Sequence, residues 1–213
     1  MAHTLSLEAQ NLLVTRGGHP VAAGVSFALA PGEALVLRGE NGTGKTSVLR
    51  TVAGFAASMK GALTFTDTAD GPVDPAETRA TQLHWLGSED GLADRLTVEE
   101  TVRFWRQLYG SIGPLEDQLS TVGLTGKEKS AVGALSTGQR RRLGLLRLGL
   151  TPRALWLLDE PMSGLDDGGR ALVLAAVATH RAEGGIVLMA SHDEGLPGTA
   201  TLRLAPAPAR EVA

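Results

Sequence analysis

The sequence contains no cysteine. That excludes a disulfide framework, a thiolate nucleophile and a cysteine-built metal cluster. The five histidines, His3, His19, His84, His180 and His192, are scattered without ligand spacing. A strong excess of one charge is also missing: 20 basic against 23 acidic residues, a net charge of -3 and a pI near 6.0 argue against a surface built generally for nucleic acid. No stretch approaches the roughly 18 uninterrupted apolar residues of a membrane span. The run from Leu143 to Leu150 is short and broken by Arg147. The first residues carry no basic region followed by an apolar run, so no secretory leader is expected. Any membrane association is expected to run through a partner. Disorder is disfavoured, because 43% of the residues are hydrophobic and only 20% charged.

What is present is glycine, 27 of 213 residues, about twice the ordinary ~7%. The length suits one compact domain with a modest subdomain. Residues 5–14 and 21–30 read as strands joined by a turn at Arg16–Pro20. Ala34–Arg38 is an apolar run of the buried-strand kind. Gly39–Gly44 follows, then a helix expected from Lys45 to about Ala57. Gly61–Phe65 and Leu83–Leu86 are expected as a further strand pair. From Thr97 to about Leu150 the pattern is mostly helical, opened by a capping box at Thr97 and Glu100. Leu155–Leu158 and Gly185–Met189 read as buried strands joined by a helical crossover over 172–180. The expected organisation is an α/β core over residues 1–204 with a helical subdomain near 90–150. Residues 205–213 form a Pro/Ala-rich tail.

Gly39, Glu40, Asn41, Gly42, Thr43, Gly44, Lys45 and Thr46 satisfy G-x-x-x-x-G-K-S/T between a strand and a helix. Glycines let successive backbone N–H groups curl toward phosphate oxygens, and the helix start adds its own unpaired N–H groups. Lys45 is the candidate to neutralise β/γ charge and Thr46 to offer a hydroxyl to Mg²⁺. Ser47 is the next helical residue and joins the candidate site, with packing as its alternative.

Asp159 and Glu160 close the strand that starts at Leu155. Alone, two acids after a strand read as an ordinary loop start. Beside a phosphate loop, Asp159 is placed to hold Mg²⁺ through water. Glu160, on the other face by strand period, is placed to polarise an attacking water. Pro161 stops the strand. His192 follows the last apolar strand; alone it reads as structural or solvated. Functional groups nevertheless collect at the carboxyl edges of parallel sheets, so it is a candidate contact for the γ-phosphate.

These residues resemble an ATP-binding cassette (ABC) ATPase, the nucleotide-binding subunit of an ABC transporter, over roughly residues 5–204. Beside the Walker A loop and the Walker B strand, Leu135, Ser136, Thr137, Gly138 and Gln139 resemble the signature motif, with Thr137 where the family usually has Gly. Ser163–Asp166 resembles the D-loop and His192 the switch histidine. Ser136 and the N–H groups near Gly138, opening a helix, make a second anion nest. The resemblance implies a P-loop NTPase (RecA-like) core with an N-terminal antiparallel β subdomain and a helical insert. It implies ATP and Mg²⁺ as ligands, and a head-to-tail homodimer in which Ser136–Gln139 of one ATPase subunit closes over the Walker A loop of a second, with Asp166 tuning the facing subunit.

Within the family the chain is similar to the ATPase of the haem exporter complex of bacterial cytochrome c maturation. The segments carrying this are His84–Gly87, Leu96–Trp105, Gln139–Leu143, Arg153–Glu160 and Gly184–Val187. The partners implied are an integral membrane permease resembling CcmB and other cytochrome c maturation membrane proteins, with the subunit peripheral at the cytoplasmic face of the inner membrane. No nucleic-acid partner is expected. Phe104, Trp105 and Tyr109 are candidates for a docking groove, with packing inside the insert as the alternative. Arg140, Arg141 and Arg142 read more simply as a solvated helix start or interface rim than as a nucleic-acid patch. Two departures stand out. Arg16 occupies the place of the aromatic that usually stacks adenine. Ser88, followed by Glu89 and Asp90, sits about where the family has a Mg²⁺-contacting glutamine. The rival readings are the ATPase of another small ABC exporter, and a soluble ABC protein acting on ribosomes or DNA.

Overall fold

A computed structural model describes residues 3–192 and 196–207. The chain divides into two compact units: Met1–Trp85, Arg153–Glu160 and Ala178–Ala213 form one, Leu86–Pro152 and Pro161–Val177 the other.

The first unit holds two sheets. β1 (Leu5–Arg16) and β2 (His19–Leu29) form an antiparallel hairpin, with Arg16 opposite His19. β3 (Ala34–Arg38) leads into α1 (Lys45–Val52). β4 (Ser58–Asp67) pairs antiparallel with β1 and with the two-residue β5 (Gly71–Pro72), giving the order β2-β1-β4-β5. α2 (Pro75–Gln82) precedes β6 (Leu83–Leu86).

The second unit carries α3 (Val98–Tyr109), α4 (Leu115–Thr121) and α5 (Thr137–Leu150), with a single 3-10 turn over Val132–Ala134. β7 (Leu155–Asp159), α6 (Asp167–Ala182), β8 (Ile186–Ala190) and β9 (Ala200–Arg203) complete the chain. The second sheet has the order β6-β7-β8-β3-β9, and β3 is parallel to both β8 and β9, as β7 is to β8.

Strand period explains the core of the first unit. Leu35 and Leu37 of β3, Leu155 and Leu157 of β7, and Ile186 and Leu188 of β8 share one face. They pack with Val48, Leu49 and Val52 of α1 and with Leu7, Leu12 and Phe65 of the antiparallel sheet. In the second unit Val98, Val102 and Trp105 of α3, Leu119 of α4, and Leu143, Leu146 and Leu150 of α5 form a separate core. Their i, i+3/i+4 spacing is that of amphipathic helices. The Thr97/Glu100 capping box is formed: the Glu100 N–H donates to the Thr97 hydroxyl at 3.2 Å, and the Thr97 N–H to the Glu100 carboxylate at 2.7 Å.

Two expectations are corrected and one helix is added. α1 stops at Val52 rather than near Ala57, because Gly54 turns left-handed (φ 79°) and the Phe55 N–H folds back onto the Arg50 carbonyl. Gly61–Phe65 and Leu83–Leu86 do not pair; the first lies in the antiparallel sheet and the second in the parallel one. α2 was missed although its signals are present: Asp74 accepts from the Glu77 N–H at 2.8 Å and Pro75 opens the helix. Of the tail, residues 208–213 lie outside the described residues.

Candidate functional site

The carboxyl ends of β3, β7 and β8 lie at one edge of the parallel sheet, and each carries candidate residues. After β3 the chain turns sharply at Gly39 (φ 149°). A Cβ there would sit 2.6 Å from the Thr43 hydroxyl and 2.7 Å from the Leu204 carbonyl, so only glycine fits. Thr43, buried, donates to the Glu40 carbonyl at 2.9 Å and holds the loop closed. Gly44 (φ 92°) caps α1. Glu40, Asn41 and Gly42 are exposed along the loop. Lys45 is buried, and its ammonium donates to the Gly39 and Glu40 carbonyls at 2.8 and 3.0 Å. One positive charge is thereby held inside a ring of main chain at a helix N-terminus, which favours an anion. Ser47 is buried, and its carbonyl accepts from the Thr51 hydroxyl at 2.9 Å, a bond internal to α1.

Asp159, the last residue of β7, is 2% exposed. It shares the strand face of Leu155 and Leu157, the face on which α1 packs, and this aims its carboxylate at the start of α1. The Thr46 hydroxyl donates to it, 3.1 and 3.0 Å from its two oxygens. One hydroxyl and one carboxylate, both hard oxygen donors, fit Mg²⁺, which keeps its other positions for phosphate and water. No group of three or more His, Cys, Asp or Glu side chains able to hold a metal occurs among the described residues.

Glu160 lies just past β7, so strand period does not set its direction as the sequence reading assumed. Its backbone is left-handed (φ 49°), a region a glutamate enters only when its surroundings hold it there. Its N–H donates to the Ala190 carbonyl of β8 at 2.9 Å. The His192 backbone N–H donates to its carboxylate at 3.4 Å, and the His192 Nε2 lies 3.5 Å from the other oxygen. The imidazole is half exposed and the carboxylate largely covered. An acid and a histidine thus face each other at the sheet edge that carries the phosphate loop.

Arg16 is exposed at the tip of the β1–β2 hairpin. The same hairpin reaches the loop: a Cβ at Gly44 would lie 3.2 Å from Val21 and Ala22.

In the second unit, Ser136 and Gln139 cap α5 reciprocally, the Gln139 N–H donating to the Ser136 hydroxyl at 3.2 Å and the Ser136 N–H to the Gln139 amide oxygen at 3.0 Å. That leaves the first N–H groups of the helix, at Thr137 and Gly138, as its anion-facing donors. The D-loop comes close: a Cβ at Gly138 would lie 3.3 Å from the Gly164 carbonyl, and one at Gly164 3.3 Å from the Thr137 methyl. Asp166 accepts from the Gly169 N–H at 2.8 Å and caps α6.

The docking candidates separate. Trp105 is buried, with Arg147 5.2 Å over its ring. Tyr109 packs partly against the same core, and only Phe104 is exposed.

The arginine run is not a solvated helix start. Arg140 is bidentate to Asp90 (2.6 and 3.1 Å) and reaches Asp94 at 2.5 Å. Its hydrogen bond holds the Asp90 carboxyl below the usual range. Arg141 is buried and donates to the Gly87, Ser88 and Pro161 carbonyls. The signal that finds it is the buried stripe of α5, Gly144, Leu145 and Leu148, extended one turn back.

The sequence model of the ABC transporter family matches residues 22–163. The cytochrome c biogenesis ATP-binding export protein CcmA of Rhodobacter capsulatus is 43% identical over 205 residues, covering 96% of this chain and 89% of that protein. CcmA of Mesorhizobium japonicum is 41% identical over 189 residues, covering 88% of this chain and 92% of that protein. Among solved structures, a putative ABC transporter ATP-binding protein from Pyrococcus furiosus superposes with a TM-score of 0.80 at 25% identity, over 93% of this chain and 97% of that one.

Proposed function

The chain belongs to the ABC transporter family as an ATP-binding subunit related to CcmA, an ABC-type ATPase with a RecA-like core, and from this we propose that it powers an export complex of cytochrome c maturation. The observation that carries the reading is the Thr46–Asp159 contact beside the buried Lys45, with Glu160 and His192 facing each other at the same sheet edge.

In this proposal the Gly39–Thr46 loop wraps the phosphates of ATP, and Lys45 turns its ammonium from the loop carbonyls to the β/γ oxygens. Thr46, and Asp159 through water, would hold Mg²⁺, which when bound would offset charge on the phosphates. Glu160 accepts a proton from water as the water oxygen bonds to the γ-phosphorus and the bond to the β–γ bridging oxygen breaks, releasing ADP and phosphate. His192 steadies the γ-phosphate and keeps Glu160 in place. Arg16, at the tip of the hairpin whose Val21 and Ala22 approach the loop, stacks on or bridges the nucleotide. Ser136, Thr137, Gly138 and Gln139 of one copy close over the nucleotide of a second, and Asp166 lies at that junction.

No helix among the described residues is long and apolar enough to cross a membrane. We assign the subunit to the cytoplasmic face of the inner membrane, bound to an integral membrane permease and to other maturation proteins, with Phe104 contributing to docking.

The test is complementation. Deleting the gene should abolish c-type cytochromes, and the wild-type gene should restore them. Glu160→Gln should restore none, while the purified variant complex still binds ATP and loses turnover by about 10²-fold or more. Normal cytochromes in the deletion strain would overturn the maturation role; undiminished turnover in Glu160→Gln would overturn the role of Glu160.

A further inference from the structure

Arg141 sits in the second turn of α5 and is 5% exposed. Its guanidinium reaches out of the helix to two separate segments. Nη1 donates to the Gly87 carbonyl at 2.6 Å and lies 3.5 Å from that of Ser88. Nε donates to the Pro161 carbonyl at 3.2 Å. Its neighbour Arg140 fastens the continuation of the first segment through Asp90 and Asp94. The start of α5, the 87–94 stretch and the turn at Pro161 are thus joined at one place.

A buried charge is an expensive way to join them. Desolvation opposes it, and an apolar side chain of similar volume fills the space at no such cost. What the guanidinium supplies is geometry: a planar fork that fixes several carbonyls relative to one another and to its own helix. One of those carbonyls belongs to the residue bonded to Glu160, whose left-handed backbone persists only while its flanks are held.

We propose that Arg141 is a positioning residue for hydrolysis, fixing the turn that presents Glu160 to the helix that begins at Ser136. The bond to the Pro161 carbonyl then restrains the backbone on the carboxyl side of Glu160, and water activation depends on that restraint. The proposal rests on the ATPase reading of Glu160.

The experiment uses the complex purified from membranes through a tag on this chain, with equilibrium ATP binding and steady-state ATPase measured on each variant. Arg141→Met should bind ATP in the wild-type stoichiometry, with KM within about threefold and kcat lowered roughly 10- to 100-fold. Arg141→Lys keeps the charge but lacks the fork, so its kcat should fall as well; it carries the test alone if Arg141→Met does not fold. Wild-type kcat in a folded variant, or a rise in KM at constant kcat, would overturn the positioning role. Glu160→Gln is measured alongside. If it is inactive while Arg141→Met is fully active, only the positioning role fails. If Glu160→Gln is itself active, the reading beneath the proposal fails.

Discussion

His180 offers a test of the physical account that is independent of nucleotide. It is 5% exposed and stacks on Trp156 of β7, with ring centroids 4.0 Å apart and planes 7° from parallel. His3 lies 5.6 Å away, and the His180 Nε2 is buried without a hydrogen-bond partner. Burial first, then the neighbouring His3 and His84, pushes its pKa from 6.5 down to about 4. The unfolded chain therefore takes up a proton at pH values where the folded chain refuses it. The contribution of His180 is complete above its unfolded pKa and is lost as pH falls from about 6.5 toward 4. Linkage between those two values gives a loss of roughly 2 kcal/mol at about pH 5 relative to pH 7.5. His180→Phe keeps a flat ring against Trp156 and removes the proton site. Urea unfolding of both proteins at about pH 7.5, 6 and 5 gives the two pH slopes, and their difference isolates His180 from every other titrating group. The wild type should lose more stability than the variant across that window. Parallel slopes would refute the claim that His180 is held neutral.

Two further outcomes follow from local geometry. Gly39→Ala places a methyl group against Thr43 and the Leu204 carbonyl; the protein should fold but bind ATP at least about tenfold more weakly in equilibrium dialysis, because the loop can no longer curl around phosphate. Thr97→Ala removes the capping box of α3 and should cost about 1 kcal/mol, read as faster amide exchange in Val98–Thr101.

The parts of the site that depend on local pattern were legible in the sequence. The phosphate loop, the acid-ended β7 and the His192 position each announce themselves within a few residues, because strand, turn and helix start are local events. The α3 capping box was equally plain. What could not be read was what depends on the partner of an element. Gly61–Phe65 and Leu83–Leu86 were both visible as strands, yet nothing in either names its sheet. Strand period does not reach Glu160, which lies one residue past the end of β7 with a left-handed backbone, so its direction is set by β8 and His192 and not by its own strand. Arg141 was placed on the surface by its charge, and only the path of the 87–94 stretch and the Pro161 turn reveals that backbone carbonyls await it. Trp105 and Phe104 are adjacent and similar in character; helix packing buries one and exposes the other.

The close approach of Thr137, Gly138 and Gly164 bears on how such a sequence can change over time. With a methyl group already 3.3 Å from where a Cβ at 164 would stand, and a backbone carbonyl equally near position 138, each residue sets the steric limit of the others. The signature and the D-loop then do not drift as separate words. With threonine at 137, position 164 is restricted twice, by that methyl group and by its own left-handed backbone (φ 73°), which disfavours any side chain. Randomising 137 and 164 together would return almost only glycine at 164, with the freedom left at 137 set by the space beside it.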